Sequence, residues 1–321
     1  MSKRVKFILK ASASIIFLIW AFYKVNWEEV LFYVKEITFL QILLYLAIVL
    51  LGILISSYKW KILAEYKNIK LPLSDFFKYY LTGTFINNFM PSFIGGDTYR
   101  AYQIGHEKKN YAEAASTVLM DRITGFIGAT ILAMLFTLLN FKTVIKHPVL
   151  ILANALIILS FVFDIAVATV RHTPWIKNRV RKFIPEKIIH FLRELNTFNN
   201  SSGIITRSIF WSGVFAIIGT ALANYFLFLS LGIKVNVLDY LSVIFLIAIV
   251  SSVPITINNI GLKEWSYVTF FGLFGVSSSI VVVVSILSRF LQMILSFFAL
   301  PFYMQTNKIK KEEKNKIDND L

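Results

Sequence analysis

Residues 76–94 read FFKYYLTGTFINNFMPSFI, and residues 251–264 read SSVPITINNIGLKE. Each belongs to an apolar region cut by residues that interrupt helices: Gly83, Asn87, Asn88 and Pro91 in the first, Pro254, Asn258, Asn259 and Gly261 in the second. This pattern predicts discontinuous or re-entrant helices, because irregular backbone at membrane depth is tolerated only where it is buried in protein or faces water. The second break sits inside a longer apolar region, residues 240–275.

Six further segments are apolar enough to cross about 30 Å of hydrocarbon, which takes about 20 residues. They are roughly 7–23, 39–58, 115–140, 149–170, 208–231 and 279–304. Bulky residues from Trp20 to Trp27 follow the first, without a small-residue cleavage site, so it reads as a retained span rather than a signal peptide. The expected fold is an all-α polytopic membrane protein with six full spans and two broken elements. One membrane domain would cover residues 1–307, with a cytoplasmic charged tail at 308–321. Eight spans form the alternative, since two full crossings in place of either hairpin keep the same sidedness.

Charge sets the expected orientation. Segments 1–10, 59–78, 97–114, 171–207 and 305–321 hold 25 Lys and Arg, against 5 in loops 24–38, 141–148 and 232–239. By the positive-inside rule the first set is cytoplasmic, with both termini. Each half, about 1–145 and 146–307, then reads span, span, broken hairpin, span, in opposite orientations. Paired interrupted segments of this kind point to a transporter's central site. The basic loop 171–207 includes NRVRKFIPEKIIHFLREL at 178–195, which reads as a surface amphipathic helix broken by Pro185.

The composition excludes other classes. The chain has 321 residues, 57% hydrophobic and 16% charged, with a net charge of +15 and no cysteine. A soluble nucleic-acid binder explains the charge but not the hydrophobicity. Without cysteine there is no disulfide, thiolate nucleophile or Cys-ligated metal. The four histidines lack metal-binding spacing, and no phosphate-binding GxxxxGK[ST] loop, HExxH or GxSxG occurs. No cofactor, metal or catalytic motif is expected.

Six charged residues remain inside the expected membrane segments: Arg122, Lys263 and Arg289, with Asp121, Asp164 and Glu264. Such residues are costly in a bilayer and usually face the bundle interior. Adjacent residues point about 100° apart on a helix, so Asp121 and Arg122 each need a partner elsewhere, as do Lys263 and Glu264. Gln292 shares a face with Arg289. Gly95-Gly96-Asp97-Thr98-Tyr99-Arg100 reads as a tight turn into a helix, with Asp97 either capping it or pairing with Arg100. Arg100 would alternatively hold a phosphate bidentately. Asn87, Asn88 and Asn258 either bind a headgroup or satisfy backbone groups freed by the breaks. Mutual neutralisation of the buried charges is the competing structural reading.

The stretches INNFMPSFIGGDTYRAYQI at 86–104, VLMDRITGFIG at 118–128, SSVPITINNIGLKEW at 251–265 and SILSRFLQ at 285–292 together resemble the lysylphosphatidylglycerol synthase transmembrane-region family, also called UPF0104 or flippase-like membrane proteins. Met90 stands where the family usually has Leu, and Asp121 where it has Glu. Asn259 replaces a Gly and Lys263 an Arg. The last change exchanges a planar fork for a point charge. The resemblance implies transbilayer movement of anionic or modified phospholipids or polyprenyl-linked precursors, in the plasma membrane of a prokaryote. The aminoacyltransferase domain of multidomain members has no counterpart, so synthase activity is not expected.

On this reading Arg100, Arg122, Arg289 and Lys263 bind a lipid phosphate, assisted by Asn87, Asn88, Asn258, Gln292, Gly95 and Gly96. Asp97, Asp121 and Glu264 are their charge partners, and Pro91, Pro254 and Gly261 break the helices. Two other readings stay open: a transferase acting on a lipid-linked substrate, and a non-transporting accessory subunit of a lipid-modifying system. The expected partners are membrane lipids, with a second copy of the chain or a lipid-modifying enzyme as protein partners.

Overall fold

The computed structural model describes residues 3–89, 94–170, 186–253 and 255–304, and all regular structure in them is helical. Helix α1 (Lys3–Lys24) is followed by the short α2 (Trp27–Glu36) and the long α3 (Phe39–Tyr66). The side chain of Asn26 caps α2, and Thr38 with Gln41 forms a capping box at α3, so polar side chains take up amides that have no intrahelical acceptor. Helices α4 (Leu73–Phe89) and α5 (Ile94–Lys108) form the first hairpin. Helix α6 (Tyr111–Leu139) returns, capped by Asn110. A single turn, α7 (Phe141–Val144), leads to α8 (Pro148–Val170).

The second part begins with α9 (Glu186–Asn196) and a 3₁₀ turn. Helix α10 (Ser202–Ser230) contains a π-helical stretch at Ala216–Leu222. Helices α11 (Val237–Ser252) and α12 (Leu262–Gly272) form the second hairpin, and α13 (Ser278–Phe297) follows. Four helices, α3, α6, α10 and α13, are long and apolar enough to cross a membrane, and Pro148–Leu159 and Val237–Ser252 are shorter apolar helices. Of the six expected spans, four fall on these long helices, 149–170 falls on α8 and 7–23 on α1. The main departure is α3, which runs eight residues beyond the expected end at 58.

Packing follows rules suited to lipid, where small residues let helix backbones approach closely. A Cβ on Gly52 of α3 would lie 2.7 Å from Gly219 Cα in the π-helical stretch. A Cβ on Gly128 of α6 would meet the Ser212 side chain at 2.7 Å, and Thr124 and Ser208 hydroxyls bond at 2.8 Å nearby. In the first hairpin Gly96 lies directly on the Gly83 carbonyl, so no side chain fits between α4 and α5. Helix α11 is buried along most of its length, with Phe245 stacked on Phe136 of α6 at 5.7 Å.

The second break is closed by α1. Ile257 N donates to Ser14 Oγ at 2.9 Å, and Gly261, at φ +83°, packs on the backbone of α1 beside Phe17. Asn258 and Asn259 take left-handed φ values of 49° and 56°, a conformation Asn tolerates better than most residues. Pro91, Pro254, residues 171–185 of the basic loop and the tail at 308–321 lie outside the described residues. So does the side chain of Asp164. The described part of the amphipathic segment, α9, packs on α6, with Leu195 beside a cluster of Leu63, Met120 and Phe198.

Candidate functional site

The charged residues of the bundle form two clusters, one at each hairpin. In the first, Asp121 of α6 is 2% exposed and receives two cations. Lys59 Nζ lies 2.8 Å from Oδ1, and Arg100 NH1 donates to Oδ2 at 3.0 Å. Arg100 NH2 donates to Asp97 Oδ1 at 2.9 Å, while its guanidinium packs over the rings of Tyr80 and Trp60 at 4.4 and 4.9 Å. Arg122 points the other way and grips Asp97 with two bonds, Nε to Oδ2 at 2.9 Å and NH2 to Oδ1 at 3.0 Å. The neighbours Asp121 and Arg122 thus find separate partners, as their 100° offset requires.

Lys59 was not among the membrane charges counted from sequence, and Arg100 was assigned to a cytoplasmic segment. Both are buried in this cluster, at 3% and 2% exposure. The continuation of α3 to Tyr66 carries Lys59 inward, and the return of α5 from the hairpin tip does the same for Arg100. The burial of Trp60, Leu63 and Ala64 marks the inward face of that extension.

The second cluster is built around the break between α11 and α12. Glu264 Oε2 accepts from Gly261 N at 2.7 Å, closing the start of α12, and its Oε1 accepts from Ser285 at 3.1 Å. Arg289 reaches the same carboxylate at 3.5 Å and donates to the carbonyls of Asn258 at 2.9 Å and Asn259 at 3.3 Å. Lys263, beside Glu264, turns away and donates to Ser288 Oγ at 2.7 Å. Among the described residues no carboxylate lies within ion-pair distance of Lys263.

A cavity of about 270 Å³ lies between the hairpins. Its wall is largely apolar, with Val49 and Ile53 of α3, Leu81 of α4, Phe215 of α10 and Ile244, Ile247 and Ala248 of α11, and carries the polar groups of Tyr80 and Thr84 of α4, Thr220 and Asn224 of α10 and Ser251 of α11. Lys263 and Tyr267 of α12, with Gln292 and Ser296 of α13, add its remaining polar groups. Gln292 Nε2 donates to Tyr45 OH at 3.0 Å, and Tyr267 OH donates to Asn224 Oδ1 at 3.0 Å. Ser251 Oγ is buried and has no protein hydrogen-bond partner.

The residues singled out in the sequence therefore divide. Lys263 and Gln292 reach the cavity; Arg100, Arg122 and Arg289 are engaged in the two clusters, and no described hydrogen bond or ion pair joins those clusters to each other. Asn87 Oδ1 accepts from Gly96 N at 2.7 Å, and Asn88 Nδ2 donates to Ser296 Oγ at 2.9 Å, so both secure the first hairpin tip. Asn258 contributes its backbone carbonyl rather than its amide side chain. Gly96 provides close helix contact, with Gly95 beside it at the start of α5. Among the described residues no three His, Asp or Glu are grouped in a way that would hold a metal.

The chain is similar in sequence to known membrane proteins. The chain is 27% identical over 244 residues to the UPF0104 membrane protein MJ1078 of Methanocaldococcus jannaschii, covering 72% of this chain and 98% of that protein. It is 25% identical over 278 residues to the UPF0104 membrane protein MJ1595 of the same organism, covering 79% and 80%. No solved structure matches it. Residues 7–299 match the family described as the lysylphosphatidylglycerol synthase transmembrane region. This multi-pass membrane protein belongs to that family.

Proposed function

We propose that the protein moves an anionic phospholipid or polyprenyl-linked lipid between leaflets, with the headgroup passing through the cavity between the hairpins and the acyl chains remaining in the bilayer. The observation that carries this reading is Lys263, a cation on the wall of a largely apolar cavity with no carboxylate within ion-pair distance among the described residues. A buried charge without an ionic partner is expensive, and such residues in membrane proteins mark substrate paths. The neutral hydroxyls and amides around it supply donors for phosphate oxygens.

The helix lengths support re-entrant hairpins rather than eight full spans. Helices α4, α5, α11 and α12 have 17, 15, 16 and 11 residues. At about 1.5 Å per residue each is shorter than about 30 Å of hydrocarbon. Inverted halves are supported by a matching pair of charges. Asp97 binds Arg122 and Glu264 meets Arg289, each acid in the first turn of a hairpin's second arm and each arginine 25 residues later. In this topology one hairpin enters from each side and both termini are cytoplasmic, in a prokaryotic plasma membrane. The lipid is carried, not chemically altered.

Proteoliposomes containing a headgroup-labelled anionic phospholipid test the reading. The wild-type protein speeds exchange of the label between leaflets, measured by its accessibility to a membrane-impermeant quencher, and Lys263→Gln slows it at least tenfold. Exchange no faster than in protein-free vesicles sinks the proposal.

A further inference from the structure

Helix α10 holds a π-helical stretch, Ala216–Leu222, in which Ala223 N bonds the carbonyl of Ile218, five residues back. Such a wide turn takes up one residue more than regular helix, so it resets the phase of everything after it by about 100°. Ser212 before the stretch and Asn224 after it show what the reset achieves. Ser212 meets α6, since a Cβ on Gly128 would lie 2.7 Å from it, and Asn224 Oδ1 accepts from Tyr267 OH of α12 at 3.0 Å. In regular helix the two would point about 120° apart; with one residue taken up they fall within about 20°. The spare residue lets one helix dock on α6 and on the second hairpin together.

The stretch is also held from outside. Its carbonyls at Ala221 and Thr220 accept from Tyr240 OH of α11 at 2.6 Å and from Asn224 Nδ2 at 2.8 Å. Both arms of the second hairpin thus bear on it, Tyr240 directly and Tyr267 through Asn224. Toward α3, Gly219 meets Gly52 backbone to backbone. Gly219 and Thr220 line the cavity. From Gly219 to Ala223 the sequence is GTALA, in which only Leu222 is large, and it is exposed.

We infer that the stretch is a register switch, in which the wide turn passes one helical turn toward Ser230 while both docked ends stay in place. The residues it crosses, Gly219 to Ala223, turn by about 100°. That rotation carries Thr220 off the cavity wall and Leu222 away from its exposed position, and small side chains keep the repacking cost low. The second hairpin governs the switch, because the two side-chain bonds to the carbonyls must break before the turn moves. The switch stands on packing alone; its part in reshaping the cavity during transport rests on the function proposed above.

The chain has no cysteine, so spin labels attach only where one is introduced. The full-length protein in detergent is labelled at Phe210→Cys with Leu222→Cys, and at Phe210→Cys with Leu229→Cys as the reference pair, all three positions being exposed. Pulsed electron paramagnetic resonance is expected to give two distances for the first pair and one for the reference pair. Tyr240→Phe or Asn224→Leu, each removing one carbonyl bond, raises the minor population at least threefold, with thermal melting confirming that the variants fold. A single distance for the first pair in the wild type and both variants overturns the inference, as does a matching second distance in the reference pair. Two distances without lipid exchange in proteoliposomes defeat the transport reading alone; lipid exchange with one distance throughout defeats the switch alone.

Discussion

At the first hairpin three cations share two carboxylates, and every one is paired: Lys59 and Arg100 with Asp121, Arg100 and Arg122 with Asp97. At the second hairpin two cations stand near one carboxylate. Arg289 takes it together with two backbone carbonyls, and Lys263 is left with a hydroxyl at the cavity wall. The two regions place an acid and an arginine at the same spacing and each holds one cation more than it has acids, yet every cation of the first reaches a carboxylate and Lys263 of the second does not. Pairing of this kind makes the first cluster a clamp between α3, α5 and α6. On the proposed function, the cation left without a carboxylate makes the second a place for a ligand.

Substitutions separate these roles, beginning with the largest expected loss of stability. Asp121→Ala leaves Lys59 and Arg100 buried without their shared acid, and breaking a buried pair from one side costs about 3–5 kcal/mol. Thermal unfolding in detergent reads this as a large drop in midpoint. The double variant Lys59→Met with Asp121→Leu recovers part of it if the pair is a clamp. Gly96→Ala forces α4 and α5 apart at their closest point, and overpacking costs about 1–3 kcal/mol. The same unfolding assay checks it, with Gly95→Ala as the contrasting variant. Lys263→Gln changes the midpoint little and lowers headgroup exchange at least tenfold, the reverse of the pattern for Asp121. Arg122→Gln has the smallest effect on stability, about 1 kcal/mol or less, because its side chain is half exposed and Arg100 still holds Asp97. A large loss of stability from Lys263→Gln, or none from Asp121→Ala, breaks the comparison.

The sequence made some of this readable and hid the rest for identifiable reasons. Hydropathy located the four long apolar helices and the apolar start of α8, because length and polarity are local properties. The angular offset along a helix showed that Asp121 and Arg122 need different partners. Which partners they have depends on helix neighbours 62 and 25 residues away, and periodicity carries no such information. Lys59 was missed because the apolar run ends at Tyr58 while the helix continues, and its lysine turns inward to Asp121 of α6. The three arginines were expected to share one anion site. Arg289 instead reaches the break's own carbonyls, a use that depends on the left-handed turn at Asn258 and Asn259. Likewise Asn87 and Asn88 resemble ligand residues in sequence, but their acceptor and donor are supplied by Gly96 and Ser296.

Helix α13 touches the ends of both hairpins. Arg289 grips the carbonyls of the second break, and seven residues later Ser296 accepts from Asn88 at the end of α4. Seven residues are two turns, about 10 Å along one face of the helix. That helix is therefore a connecting rod. A displacement of α13 would be felt at both hairpin tips, although they lie far apart in the chain.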